Sequence, residues 1–337
     1  QRQMCIRDSN IRARELSHTI SSMTSASTDQ IRAAAFILKT GGLVAFPTET
    51  VYGLGADASN ELAIERVYQV KNRPSDHPLI VHISDQSAVS HWAKNIPSYA
   101  VELMNHYWPG PMTLVLQRTA NTKDFVTGGQ ETVGLRIPSH PVALELLEEF
   151  SNLGGHGLAA PSANRYGAVS PTTASAVEQE LSDFLGASDL ILDGGSSGVG
   201  IESTIIDCTG DAPVVLRPGA ITSEMIESTT KLALQDQSVS SPRVSGSHKK
   251  HYSPNAKVVI DGLVSVGEGL IALSEVLTPD GAIRLASPND LEEYAGQLYA
   301  ALRRADELNL ETVHVIPPTG SGLAIAIRDR IARSADQ

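Results

Sequence analysis

The sequence predicts an α/β protein in two units: a larger domain with a twisted mixed sheet flanked by helices, and a small Rossmann-like C-terminal domain. Three observations carry this. Helical and strand patterns alternate from Asp29 onward, the order expected where helices cover a largely buried sheet. The 337 residues suggest two domains, at roughly 150 residues each. Between Gln235 and Asn255 the composition shifts to Ser, Pro, Lys and His with few apolar residues, which marks a linker. The expected divisions are therefore an extension over 1–28, a first domain over 29–234, the linker over 235–255 and a second domain over 256–337.

The elements follow in order. Asp29 is placed to cap a helix from Gln30 to Thr40, Gly41 and Gly42 stop it, and Leu43 to Phe46 reads as a buried strand. A second helix runs from Asn60 to Lys71, with the next strand at Leu79 to Ile83. Strands are expected at Met112–Leu116, Thr132–Arg136, Leu158–Ala160, Leu190–Asp193, Thr204–Cys208 and Val214–Arg217. Helices fill the gaps at Tyr99–Tyr107, Pro141–Phe150, Thr173–Leu181 and Ser223–Lys231. Past the linker, a strand at Lys257–Asp261, a helix at Asp290–Leu308, a strand at Thr312–Ile316 and a helix at Leu323–Ala332 give a βαβα order.

Composition excludes several classes. Lys and Arg number 26 against 38 Asp and Glu, a formal charge of -12, which opposes a broad nucleic-acid-binding face but allows a local basic patch. The two cysteines, Cys5 and Cys208, can form neither a disulfide framework nor a Cys-rich zinc site, and they fit a reducing, cytoplasmic compartment. No apolar run approaches the ~20 residues of a membrane span. Residues 1–28 carry four Arg and no apolar signal core, and read as a disordered or non-native extension with Met23 the expected start.

Some familiar signals fail on context. Gly53-Leu54-Gly55-Ala56-Asp57-Ala58 imitates a dinucleotide fingerprint, but six residues separate it from the strand end at Phe46, so it is read as a loop. No G-x-x-x-x-G-K-[ST] phosphate loop occurs, and no His or Asp spacing suggests a metal cage made by the protein alone. What remains are polar residues at the expected strand ends, where open α/β sheets place ligands. Pro47-Thr48-Glu49-Thr50-Val51-Tyr52-Gly53 frees hydroxyls and backbone donors, though a decorated turn explains it equally well. Lys71 and Arg73, two apart before Pro74, suit a polyphosphate, while two cations at a helix end also answer to the helix dipole. Arg136 ends an apolar strand and offers a fork to a carboxylate or phosphate. Ser162 and Asn164 follow another strand and have no capping duty, unlike Ser170 and Thr172. The Gly-rich run Asp193–Thr204 is punctuation or an anion-binding nest, Arg217 closes the last strand, and His82, taken alone, reads as a core histidine. Four cations and several hydroxyls without a nucleophile and base describe a site that holds anionic substrates together, where proximity and charge neutralisation do the work. Transfer at the α-phosphate of a nucleotide suits it.

The ordered series Pro47-Thr48-Glu49-Thr50-Val51-Tyr52-Gly53-Leu54-Gly55, Lys71-x-Arg73-Pro74-Ser75-Asp76-x-Pro78-Leu79, Trp108-Pro109-Gly110-Pro111-Met112-Thr113-Leu114, Val133-Gly134-Leu135-Arg136, Pro161-Ser162-Ala163-Asn164 and Ser203-Thr204-Ile205 resembles the YrdC-like family of threonylcarbamoyl-AMP synthases over about Asp29 to Ile226. His251-Tyr252-Ser253-Pro254 and the unit after it are similar to the long form with an added Rossmann-like domain. The first 22 residues match nothing in the family.

The resemblance implies that L-threonine and bicarbonate condense, that the carboxylated threonine attacks the α-phosphate of ATP, and that a separate transferase passes the threonylcarbamoyl group to tRNA. Magnesium would arrive with ATP, direct tRNA contact would be weak, and no membrane would be involved. By the family pattern Thr50, His82, Arg136, Ala160 and Ser203 would surround threonine. Lys71, Arg73, His77, Thr132, Ser162, Asn164, Ser170 and Arg217 would surround ATP, with Lys71 and Arg73 catalytic and Tyr252 covering the nucleotide. His77 stands where many relatives have Asn, a ring nitrogen replacing an amide donor. Two rivals are a carbamoyl-adenylate former of hydrogenase maturation, whose acylphosphatase and zinc-finger segments have no room here, and a non-catalytic RNA-binding module, which would spread its cations over a face rather than gather them in a pocket.

Overall fold

A computed structural model describes residues 26–239, 241–246 and 252–335. Most of the expected extension over 1–28, with Cys5 and Met23, lies outside the described residues, as do Lys249, Lys250 and His251 of the linker. The first helix, Thr28–Lys39, is capped two residues earlier than Asp29 predicts: Ser27 and Gln30 form a reciprocal capping box, satisfying two backbone donors at once. Helix Glu61–Lys71 begins on Asn60, whose side chain accepts from the Ala63 amide, and ends on Asn72 in the left-handed region at φ 50°. That reversal turns Arg73 back under the helix, where its amide donates to the Tyr68 carbonyl.

The main sheet contains β1 (Val44–Phe46), β2 (Gly53–Asp57), β3 (Ile80–His82), β4 (Ala93–Lys94), β5 (Met112–Arg118), β6 (Thr132–Arg136), β7 (Leu158–Ala159), β8 (Leu190–Ile191), β9 (Thr204–Asp207) and β10 (Val214–Arg217). Its order is β10-β9-β5-β6-β3-β7-β2-β1-β8, with β4 paired to β5. Parallel pairs (β3 with β6, β5 with β9, β1 with β8) occur among antiparallel ones, so the sheet is mixed. Helices cover it, and the apolar core fills both faces, with Leu54, Val81, Leu114 and Leu135 fully or almost fully buried.

The segment Gly53–Ala58, read from sequence as a loop, is instead strand β2 over Gly53–Asp57, between β1 and β7. Its glycines serve packing. A side chain on Gly55 would meet the Phe46 ring at 2.8 Å, and one on Gly53 would meet Ala160 at 3.3 Å.

The second sheet is entirely parallel, in the order β11 (Lys257–Ile260), β14 (Thr312–Val315), β12 (Gly269–Ile271), β13 (Ile283–Ala286). Helices Leu291–Glu307 and Leu323–Ala335 pack on it. The expected βαβα order lacks β12 and β13, which are only three and four residues long.

Candidate functional site

Strand register brings the predicted residues together. In the parallel pair of β3 and β6, His82 lies opposite Arg136. On the other side β7 runs antiparallel to β3, and the Ala160 amide donates to the Ile80 carbonyl. Gly53 of β2 bridges to Ser162, and β9 opens just after Ser203, with Arg217 ending β10 beside it. A cavity whose empty space, open solvent included, comes to about 540 Å3 lies against these elements. Ile80 and His82, two apart on β3, both line it, so it sits over a face of the sheet and not only beyond the strand ends. Thr50, Arg73, His82, Arg136, Ala160, Ser162, Ser203, Arg217 and Tyr252 are all in its wall.

Arg136 is held from behind. Nε donates to Gly110 O at 3.3 Å and Nη1 to Thr50 Oγ1 at 2.9 Å, while Nη2 lies 2.7 Å from Glu49 Oε1 without hydrogen-bond alignment. Thr48 Oγ1 donates to the Val51 carbonyl at 2.6 Å, so at the 2.8 Å contact between the two threonines the Thr50 hydroxyl is the donor. His82 is 4% exposed, and Nδ1 has no partner. Burial, reinforced by the Arg136 charge, lowers its pKa to about 3, so a neutral imidazole faces the cavity. Ser203 Oγ shares a hydrogen bond with Thr113 at 2.8 Å.

The other two cations of the cavity wall, Arg73 and Arg217, bond to Ser245. Arg73 Nη2 donates to Pro78 O and to Ser245 Oγ, both at 3.1 Å, and its buried Nε has no partner. Arg217 donates from Nε and Nη2 to Ser203 O, from Nη2 to Ser203 Oγ, and from Nη1 to Ser245 O at 3.0 Å. Val244 packs with Val115, Ile205, Val214 and Leu216, and Arg243 lies 3.5 Å from Asp76. Tyr252 is buried and stacks on Tyr299 with centroids 5.5 Å apart.

Other predicted residues stand outside the cavity wall. Lys71 is buried and donates to Ser162 O at 2.5 Å and to Asn164 O, tying helix Glu61–Lys71 to the loop that carries Ser162. Burial, with Arg73 adding to it, pushes its ammonium pKa well below the ordinary value. Asn164 donates to Arg165 O and Ala168 O, both at 2.8 Å, and shapes that loop. Ser170 donates to Glu202 at 2.6 Å and is no helix cap; Thr173 caps the following helix. Thr132 lines a smaller adjoining pocket with Gln130, Arg243 and Val244, and His77 packs against Tyr166 with ring centroids 5.5 Å apart.

Sequence reasoning passed over Glu202 and Ser245. Glu202 sits in the Gly-rich run already noted, and its only signal was an acid next to the Ser203 hydroxyl. Ser245 had none, because its partners Arg73 and Arg217 meet it only through the tertiary fold.

Comparison with known proteins gives two family matches along the chain, meeting near residue 220. Residues 36–219 match a family described as Telomere recombination, and residues 221–336 match the Threonylcarbamoyl-AMP synthase C-terminal domain. A threonylcarbamoyl-AMP synthase from Pyrococcus abyssi is 38% identical over 326 residues, covering 91% of this chain and 94% of its own. One from Bacillus subtilis is 40% identical, covering 89% and 91%. The solved structure of P. abyssi Sua5 complexed with L-threonine superposes with a TM-score of 0.82 at 35% identity, over 92% of this chain and 95% of that one.

Proposed function

Because the chain belongs to the threonylcarbamoyl-AMP synthase family, we propose that it converts L-threonine, bicarbonate and ATP into threonylcarbamoyl-AMP and pyrophosphate. The observation that carries this reading is one cavity lined by Arg73, Arg136 and Arg217 with a single carboxylate, Glu202, among its described lining residues. Such an imbalance favours anionic ligands.

Threonine, on this reading, sets its carboxylate on Arg136 and its remaining groups among Thr50, His82, Ala160 and Ser203. Its amine forms a bond to the carbon of bicarbonate with loss of water, and an oxygen of the resulting carbamate attacks the α-phosphorus of ATP. The bond from that phosphorus to the bridging oxygen breaks, and pyrophosphate leaves. Arg73 and Arg217 neutralise phosphate charge, Ser162 meets the nucleotide, and Tyr252 walls it in. Thr132 and His77 would contact the nucleotide from the adjoining pocket and its rim. Lys71, Asn164 and Ser170 contribute by fixing the loops that carry these groups. Catalysis is then positioning and charge stabilisation in a site screened from water.

Magnesium is taken to arrive on the triphosphate. Glu202 already accepts from Ser170, Tyr299 and Arg330, so the described lining residues offer the ion no free carboxylate. The product is handed to a separate tRNA threonylcarbamoyl transferase, and a net charge of -12 supports at most a weak contact with tRNA itself. The cytoplasm is the proposed compartment. Among the described residues no helix is long and apolar enough to cross a membrane.

Pyrophosphate release from ATP tests the reading. It should require both threonine and bicarbonate; release that proceeds equally without threonine would refute it.

A further inference from the structure

Glu202 is acidic in a cavity otherwise built for anions, and two of its three hydrogen-bond partners come from the other domain. Its Oε1 accepts from Ser170 Oγ at 2.6 Å, while Oε2 accepts from Tyr299 Oη and from Arg330 Nε, both at 2.8 Å. Tyr299 lies on helix Leu291–Glu307 and Arg330 on helix Leu323–Ala335. Arg330 is fully buried; its Nη2 donates to Pro218 O at 3.0 Å, next to Arg217, and its Nη1 to Asp329 at 2.5 Å. Its guanidinium also stands 5.5 Å from the centroid of the Tyr252 ring.

Burial by itself would raise the Glu202 pKa. The Arg330 charge, and after it Arg217, bring it down instead to about 2, so the carboxylate keeps its full charge. Arg217 feels that charge, yet its hydrogen bonds go to Ser203 and Ser245. A buried carboxylate without its own cation would repel an incoming phosphate and draw Arg217 towards itself. The loop is also docked mechanically. Gly200, at φ 76°, lies so close to the helix that a side chain there would meet the Gly296 backbone at 2.4 Å and Ala295 O at 2.5 Å.

We propose that the C-terminal domain acts as a charge partner of the catalytic cavity: Arg330, assisted by Tyr299, neutralises Glu202 and so keeps Arg217 available to the anionic substrate. This rests on the reading of Arg217 as a phosphate contact. It gives the domain a task beyond anchoring the linker, and it makes Arg330 a positioning residue that acts through Glu202 without meeting the substrate.

The test uses the full chain with ATP as the probe, by calorimetry, and compares Arg330→Met, Glu202→Gln and the double variant. Arg330→Met should weaken ATP binding about tenfold or more, an effect of roughly 1.4 kcal/mol, while threonine binding changes less. Adding Glu202→Gln to it should restore ATP affinity to within about threefold of the parent, because the charge needing a partner is gone. An interdomain pair that serves only as glue predicts the opposite, a double variant no better than Arg330→Met, and that result would overturn the proposal. So would an Arg330→Met protein that binds ATP as the parent does. Should Arg330→Met not fold, Glu202→Gln alone decides: tighter ATP binding than the parent supports the proposal, weaker binding overturns it. A parent chain that binds no ATP refutes the reading of the cavity itself, an outcome separate from any of these.

Discussion

The two sides of the cavity are made differently. Thr50, His82, Arg136, Ala160 and Ser203 stand on the main sheet or on loops at its strand ends, and their hydrogen bonds run to other residues of that domain, such as Gly110 and Thr113. Arg73 and Arg217 start from the same domain but bond to Ser245 of the linker, and the neighbouring Glu202 bonds to Tyr299 and Arg330 of the C-terminal domain. The side proposed for threonine is thus set by strand register before any ligand arrives. The side proposed for the nucleotide is completed by segments from outside the sheet, and Ser245 occupies donors that a phosphate would need. Perturbations should therefore separate: changes in the sheet alter threonine handling, and changes in the linker alter nucleotide handling.

The largest effect is expected from Arg73. Arg73→Ala should lower turnover at least a hundredfold, corresponding to about 3 kcal/mol of lost charge stabilisation. Lys71→Ala should lose a similar amount by another route. Its nitrogen ties Ser162 and Asn164 in place, so the melting temperature should fall along with the rate. Near-normal pyrophosphate release by either variant would remove that residue from the mechanism.

Arg136→Lys keeps the charge and loses the fork and the bond to Thr50. The threonine KM should rise about tenfold or more with the ATP KM little changed. The reverse pattern would move Arg136 to the nucleotide side and break the division drawn above.

A smaller effect concerns the linker. Protease cleavage within Ser241–Asn255 should slow severalfold when ATP and threonine are both present, because a strap that gives up Arg73 and Arg217 to the phosphates would close over the bound anhydride instead. Cleavage that ignores ligands, measured by the rate of fragment appearance on a gel, would make the linker a plain tether.

What the sequence disclosed depends on how local each signal is, on both sides of the cavity. Arg136 and Arg217 were legible because a cation directly after an apolar strand has few bland explanations, and the strands that carry them are found where expected. The strand at Gly53–Asp57 was not, since two glycines two apart signal a turn locally and only the distant Phe46 ring shows that they make room within a sheet. Glu202 was hidden for a related reason. Its meaning depends on Tyr299 and Arg330, 97 and 128 residues away, and no local pattern reports such a contact. In the second domain β12 and β13 were missed because three or four residues are too few for a period-two pattern to stand out.

The smallest effect is a pH dependence of stability, which separates the two sides without any ligand. Burial and the Arg136 charge take His82 from 6.5 to about 3, so below its ordinary value the unfolded chain binds a proton that the folded one refuses. His82 therefore withdraws stability as the pH falls through the window from 6.5 towards 3, and costs nothing above it. His91 and His140, also lowered by burial, act in the same direction. Glu202 is taken from 4.5 to about 2, because Arg330 and Arg217 outweigh the cost of burial, so its contribution is present above 4.5 and lost only below that. Acid should accordingly loosen the sheet-built side first and the interdomain side second. Melting temperatures should begin to fall below about pH 6.5 and fall more steeply below about pH 4.5. His82→Gln should flatten the upper part of the slope by a few degrees, and Glu202→Gln only the lower part. A melting temperature that is constant from about pH 7 to pH 5 would mean that His82 is not held neutral, and that the cavity's sheet-built side is wetter than its burial implies.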